Sequence, residues 1–431
     1  MANMSFPSPG TAQIEALLRE AASELAAGQP ARTVSACEAV LASSPGQPAA
    51  LLLLGVALTR LDRGKEAFAV LERAVAAAPA SAACHLALGN VQRKVGEPQR
   101  ACTAFRQALA LEPGHAAAGF NLALALQESG QREESLVVLA GVARASPLDF
   151  EAAQLLVDRL AESIRAQDGP QTAQEPPQQT QAAGTGLVSV GFCSVQPERE
   201  ERARRSIASA LLPAACEFIV VHDARSLAEG FNRILDAGRG EVVVLCHDDI
   251  EILSPRLDLR LADALSQADI VGVAGSDRAG GPAVLWTGHP HVHGWVSYPR
   301  SGEVEVAPLS FRKGLLGGMQ TLDGVFMAMS AATASRLRFD DQTFDGFHFY
   351  DLDFSYRAHV AGLRLAVSTD ILLLHASEGR FEDDWKRYAQ RFLDKFPQLR
   401  APQGKPHWYG ARLPGRDHAR RFYSRLRELC H

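Results

Sequence analysis

The sequence of 431 residues has no apolar run long enough to cross a bilayer. Its longest, Ala49 to Leu58, is about half of the roughly 20 residues a membrane helix needs. The polar stretch Met1 to Gln13 has no basic segment leading into an apolar one, so neither a membrane span nor Sec-type export is expected. Seven cysteines form no CxxC pair and leave one over, which speaks against a disulfide framework and a zinc ribbon and for a reducing, cytoplasmic setting. Basic residues are not in excess: 44 Lys and Arg stand against 49 Asp and Glu, a net charge of -5, and nucleic acid is not an expected partner. What is present is ordinary globular composition, 47% apolar and 22% charged, at a length that asks for two or more domains.

Prolines supply a ruler. Pro45, Pro79, Pro113 and Pro147 recur every 34 residues. Gly28, Asp62, Gly96 and Gly130 keep the same period where two helices must turn, and Thr33, Ala67, Ala101 and Ser135 place a small residue where helices must pack closely. Apolar positions recur at helical spacing on both halves of each unit, as in Leu51-Leu52-Leu54-Gly55-Leu58 and Ala67-Phe68-Val70-Leu71-Ala74-Val75. This predicts an α-solenoid of about four helical pairs. The period, the small residues at Gly55 and Gly89, and endings such as Ala108-Leu109-Ala110-Leu111-Glu112-Pro113 resemble tetratricopeptide repeats. Phe150 to Ile164 is expected to cap the last unit, giving a solenoid domain over 11–165. The resemblance implies a peptide or protein partner in the groove; dimerisation or a purely structural role is the alternative.

Residues 166–186 hold no aliphatic side chain larger than alanine and are rich in Gln, Pro and Gly, the composition of a linker. Beyond them short β-branched runs alternate with amphipathic stretches: Leu187–Phe192, Arg202–Leu212, Phe218–Val221, Leu227–Ala237 and Val242–Cys246. That β-α-β-α-β order predicts a mostly parallel, Rossmann-like sheet flanked by helices, with ligands at the strands' carboxyl ends. The third strand ends in His247-Asp248-Asp249, metal-capable side chains at that edge, although an acidic pair there also reads as a helix cap or solvated turn. No GxxxxGK[ST] loop, GxGxxG fingerprint or GxSxG elbow occurs in this half, so phosphate must be held through a metal rather than a glycine cradle. Asp351 and Asp353 open a helix that Gly362 closes, where carboxylates also add about 0.3 to 1 kcal/mol of helix stability. A later apolar strand ends in His375.

Together, Asn232 within Glu229-Gly-Phe-Asn-Arg-Ile-Leu, the His-Asp-Asp ending, the Asp323-Gly324 turn, the Phe-Tyr-Asp-Leu-Asp helix and the late histidine resemble family-2-type inverting glycosyltransferases of the GT-A fold, over about 187–400. The resemblance implies transfer of a hexosyl or N-acetylhexosaminyl group from a nucleotide diphosphate sugar. In that family an Asp-X-Asp element binds metal and donor; here it reads His247-Asp248-Asp249, so Asp249 matches the main metal ligand, His375 completes the coordination, and His247 takes ribose or metal. Imidazole ligands suit Mn²⁺ better than Mg²⁺. Asp248, Asp223 and Asn232 match the donor side, and Asp323 and Gly324 the acceptor side, to which Trp286 is added as a sugar-stacking ring. The family's Glu-Asp pair reads Tyr350-Asp351, making Asp351 the expected base and Asp353 its alternate.

His289, His291 and His293 alternate, as strand residues sharing a face or as part of a loop, and Trp295 is a further stacking candidate. The stretch 401–431 is expected as a basic tail: from Lys386 onward twelve Lys or Arg face three acidic residues, a patch for diphosphate, an acidic acceptor or an anionic membrane surface. The overall expectation is a cytoplasmic, metal-dependent glycosyltransferase whose repeats select a protein acceptor. Surface-polysaccharide or lipid-linked glycan synthesis, and an inactive nucleotide-binding scaffold, are the alternatives.

Overall fold

The computed structural model describes residues 11–167, 186–283, 287–377, 383–401 and 407–430. The expected linker therefore lies almost wholly outside the described residues, as does Trp286. The chain divides into two compact units between Ser146 and Pro147.

Among the described residues the first unit is eight helices in four packed pairs: α1 (Thr11–Ala26) with α2 (Pro30–Ser43), α3 (Pro48–Arg60) with α4 (Gly64–Ala77), α5 (Ala82–Lys94) with α6 (Pro98–Leu111), and α7 (Ala116–Glu128) with α8 (Arg132–Ala145). The 34-residue ruler has a physical cause at each mark. Gly28, Asp62, Gly96 and Gly130 all take positive φ, 61° to 83°, at the turn inside a pair. Pro45, Pro79 and Pro113 each follow the C-cap of a pair's second helix, which they cannot prolong. The close packing inside a pair is met in two ways. At Gly55 and Gly89 a Cβ would lie 2.4 Å from Leu71 and 2.5 Å from Phe105. Where alanine stands instead, the opposing hydroxyl uses the space: Thr33 Oγ1 donates to Ala21 O (3.3 Å) and Ser135 Oγ to Ala123 O (2.8 Å).

The second unit begins with α9 (Phe150–Ala166), followed by β1 (Val188–Cys193), α10 (Pro197–Leu211), β2 (Cys216–Val221), α11 (Leu227–Ala237), β3 (Val242–Cys246), β4 (Ile250–Ile252), α12 (Leu257–Gln267), β5 (Ile270–Gly272), β6 (Ala274–Ser276), β7 (Val292–Arg300) and β8 (Glu303–Pro308). Next come β9 (Leu315–Met319), β10 (Thr321–Leu322), β11 (Phe326–Ser330), α13 (Ala331–Ala334), α14 (Tyr350–Val360), β12 (Leu365–Ser368), β13 (Leu373–His375), α15 (Asp383–Lys395), β14 (Ala411–Leu413) and α16 (Arg416–Leu429). The main sheet runs β2-β1-β3-β11-β5-β12-β9. It is parallel across β2-β1-β3 and β5-β12, as the strand-helix alternation predicts, but β11 and β9 enter antiparallel, so the sheet is mixed. Both faces are covered, which is why its strands read as unbroken apolar runs: Val242, Val244 and Cys246 enter one core and Val243 and Leu245 the other. A second sheet, β10-β6-β7-β13-β4, carries β8 and β14 at its side.

Two expected boundaries move. The helix expected to cap the solenoid, α9, belongs to the second unit, where it packs on β14 and α16 and Arg165 donates to the carbonyl of Arg412. Its apolar stripe, Leu156, Val157, Leu160 and Ile164, is buried, and periodicity alone does not say against which neighbour. The stretch read as a basic tail is built into this unit: β14 pairs with β8, and α16 buries Phe422, Tyr423, Leu426 and Leu429. Tyr423 is fully enclosed, its hydroxyl donating to Val296 O (2.7 Å). Much of the patch's charge is consumed locally, Arg416 on Glu251 (2.6 Å) and Arg427 on Asp370 (2.9 Å).

Candidate functional site

The site forms where β3 stops. β13 lies antiparallel to β4 with His375 opposite Ile250, which brings the late histidine onto the segment that follows β3. Asp249 Oδ1 stands 3.4 Å from His375 Nε2, and His247 Nδ1 stands 3.1 Å from that same nitrogen. Among the described residues these three alone offer ligand atoms close enough to share one ion, all within 4.8 Å of each other. Two features fit them to a divalent cation. Asp249 Oδ2 is buried with no hydrogen-bond partner, an acceptor left open at a cost unless something cationic fills it. Burial would raise the Asp249 carboxyl, but His375 and the Ser377 hydrogen bond outweigh it and hold the group ionised, while burial and His375 push His247 down to about 4, keeping that imidazole neutral as a ligand must be.

Beside the triad sits Asp351 in the first turn of α14. Its Oδ2 accepts the Gly324 amide at 2.8 Å. Burial, then the charge of Asp323, raise its carboxyl to about 7, where a general base works best near neutral pH. The turn that delivers it is strained: Phe349, the residue before α14, has φ 67°. A bulky residue there costs on the order of 1 kcal/mol, offset by burying its ring against Trp385 and Phe392. Gly324 is needed for close approach, since a Cβ would stand 2.2 Å from Tyr350 Oη and 2.9 Å from Asp351 Cβ.

Two cavities meet at the triad. The larger, about 740 Å³, is lined by His247, His375, Asp323, Tyr350 and Asp351 and walled by Trp385, Trp408 and Tyr409. The smaller, about 280 Å³, lies at the carboxyl ends of β1 to β3, with Ser194, Arg199, His222, Asp248 and Asp249 in its wall. His247, Phe347 and Ser377 belong to both. The two cavities thus share one corner.

The structure thus brings together His247, Asp249, His375, Asp351, Asp323 and Gly324. Asp248 turns into the smaller cavity, accepting from Ser194 Oγ at 2.7 Å, and is not part of the triad. Asp353 does not reach the site. It is fully buried between Lys395 and Arg357 (2.5 and 2.8 Å), two positions on and so turned away from Asp351 round the helix, and is a structural ion pair rather than an alternate base. Asn232 is spent on the backbone of Phe339, bonding both its N–H and its C=O, and does not line the smaller cavity. Asp223 lies at the rim, between lining residues His222 and Ala224, with its carboxylate on Arg233 (2.8 Å). Of the alternating histidines, His291 and His293 both hold Asp277 (2.8 and 2.9 Å) and His289 meets the His407 carbonyl, so they do not converge as ligands. Trp295 is core, its Nε1 donating to Ser310 O. Sequence reasoning missed Ser194, Arg199 and His222, which the strand-end rule applied to β1 and β2 would have nominated. It also missed Trp385 and Phe347, for which no motif speaks.

Residues 192–396 match the model of a glycosyltransferase-like family, and 24–91 and 92–160 match the tetratricopeptide repeat. The chain joins tetratricopeptide repeats to a glycosyltransferase family 2-like domain. Among solved structures it is similar to MamA of Desulfovibrio magneticus, at 19% identity over 35% of this chain and 85% of that one (TM-score 0.33). It is similar also to a thermophilic tetratricopeptide protein of Thermus thermophilus, at 25% identity over 34% and 81% (TM-score 0.32). An O-GlcNAc transferase mutant of Thermobaculum terrenum aligns at 24% identity over 50% of this chain and 38% of that one (TM-score 0.31). No curated protein matches the sequence. Among the described residues of the glycosyltransferase-like domain and the repeats, no helix is long and apolar enough to cross a membrane.

Proposed function

We propose that this chain is a metal-dependent, inverting glycosyltransferase that moves a hexosyl or N-acetylhexosaminyl group from a nucleotide diphosphate sugar to an acceptor hydroxyl. The observation that carries it is the corner shared by the two cavities, where a His-Asp-His triad and a carboxyl raised to about 7 stand together. His247, Asp249 and His375 would hold a divalent ion, Mn²⁺ in preference to Mg²⁺ because two of three ligands are imidazoles. Such an ion supplies neutralisation of the departing diphosphate, so no protein acid is needed there. The remaining work falls to the chain itself. The smaller cavity takes the nucleotide, with Ser194, Asp248 and Arg199 as its polar groups. Asp351, steadied by the Gly324 amide, removes the proton of the acceptor hydroxyl as that oxygen attacks the anomeric carbon. One base and one displacement give inversion.

The acceptor enters the larger cavity, whose Trp385, Trp408 and Tyr409 suit the face of a sugar or an apolar side chain. We assign it to a protein selected by the repeats, whose groove is the natural peptide-binding surface of such solenoids. The aromatic wall favours, as second reading, a growing surface polysaccharide or lipid-linked glycan. Seven free cysteines fit a reducing, cytoplasmic compartment. The test is release of free nucleoside diphosphate by the purified chain with Mn²⁺ and a panel of nucleotide sugars, beside Asp249→Ala and Asp351→Asn. Release that needs metal and is lost in both variants supports the assignment. No release and no nucleotide binding would leave a scaffold.

A further inference from the structure

Two residues 103 positions apart touch at the corner of the site: His247 Nε2 lies 2.8 Å from Tyr350 Oη. They are also the two positions at which the sequence departs from the family's Asp-X-Asp and Glu-Asp pattern. His247 has its other nitrogen, Nδ1, toward His375 Nε2 and Asp249. A neutral imidazole has one unprotonated nitrogen, and a metal takes only that one. Left alone, the ring exchanges between two tautomers, one of which points a proton at the ion.

We propose that Tyr350 is a positioning residue: its hydroxyl oxygen accepts the Nε2–H of His247, which leaves Nδ1 unprotonated and aimed at the metal. The phenol is suited to this because it cannot move. Tyr350 is 4% exposed, its ring lies edge-on to Phe231 at 5.4 Å and tilted on Phe339 at 6.1 Å, and its oxygen fills the space that a Cβ at Gly324 would occupy. Asp351 follows it directly in α14, so the residue that orients the ligand and the residue that acts as base are set by one helical turn. The inference rests on the metal assignment made above for His247, Asp249 and His375.

The test reads metal binding directly. Mn²⁺ affinity is measured by electron paramagnetic resonance for the full chain and for Tyr350→Phe, which keeps the ring and removes only the oxygen. The expected loss is about 10- to 100-fold, the usual effect of removing a hydrogen bond to a ligating histidine. In a His247→Asp background, where the ligand has no tautomer to fix, the same Tyr350→Phe change is expected to alter affinity by less than about twofold. Equal losses in the two backgrounds, or no loss in the first, overturn the proposal. A second measurement needs no variant: histidine-¹⁵N spectra of the Zn²⁺-loaded wild-type chain should show His247 protonated at Nε2, and protonation at Nδ1 overturns the proposal. Failure of the wild-type chain to bind any divalent ion would instead remove the metal assignment on which it rests.

Discussion

Asp351, the proposed base, ties the chemistry and the stability of the chain to pH. Its carboxyl has an ordinary value of 3.8 and is raised to about 7, first by burial and then by Asp323. A base must be unprotonated to act. In the metal-loaded enzyme the cation draws that value down, so the rate should fall tenfold per pH unit below a break that lies under pH 7 and level off above it. The same shift has a thermodynamic consequence of definite sign. The folded chain holds this proton more tightly than the unfolded chain, so stability falls as pH rises from about 4 to 7 and then stays lower by on the order of 4 kcal/mol. Asp351→Asn removes that ionisation. Without metal it should unfold at a higher temperature than wild type at pH 8, and the gain should shrink toward nothing at pH 4, while turnover drops about 10²- to 10⁴-fold. Thermal melts across pH, with nucleoside diphosphate release in parallel, read both effects. A variant that melts below wild type at pH 8, or metal-free wild-type stability that does not fall between pH 4 and 8, would refute the assignment.

Gly324→Ala forces its Cβ against Tyr350 and Asp351, so turnover should fall about 100-fold, with stability lowered by about 1–3 kcal/mol, as steady-state kinetics and denaturant melts would show. Asp353→Ala should cost about 3 kcal/mol by leaving Lys395 and Arg357 without their shared carboxylate; the folded fraction should keep its turnover within about threefold, and a total loss of turnover in a folded variant would return Asp353 to the site. In the solenoid, Gly89→Val should meet Phe105 and lower the melting of the first unit, measured by circular dichroism, while changing nucleotide affinity by less than about twofold.

The helical repeats were legible in the sequence because each repeated mark answers one local need: a positive φ at Gly28, Gly96 and Gly130, a helix stop at Pro45, room for a neighbouring side chain at Gly55. The triad was legible for a related reason, since His247, Asp249 and His375 each end or follow a buried strand and strand ends gather at one edge. What local pattern does not carry is direction and company. Nothing in the apolar run Phe326–Ser330 says that β11 lies antiparallel between β3 and β5, and nothing in α9's stripe says what buries it. Asp351 and Asp353 look alike in the first turn of α14, yet two positions along a helix differ by about 200° in direction, one into the cavity and one onto Lys395. Asn232 fits a motif and is spent on the Phe339 backbone instead.

The central claim is that a divalent ion sits at the corner shared by the two cavities. Anomalous diffraction at the manganese edge, from crystals of the full chain soaked with Mn²⁺ and a nucleoside diphosphate, tests it most directly. The account predicts one peak within about 2.5 Å of His247 Nδ1, an Asp249 oxygen and His375 Nε2, with the diphosphate beside it in the smaller cavity. A peak on Asp277, His291 and His293 instead, or nucleotide bound in the smaller cavity with no metal at the triad, would contradict it.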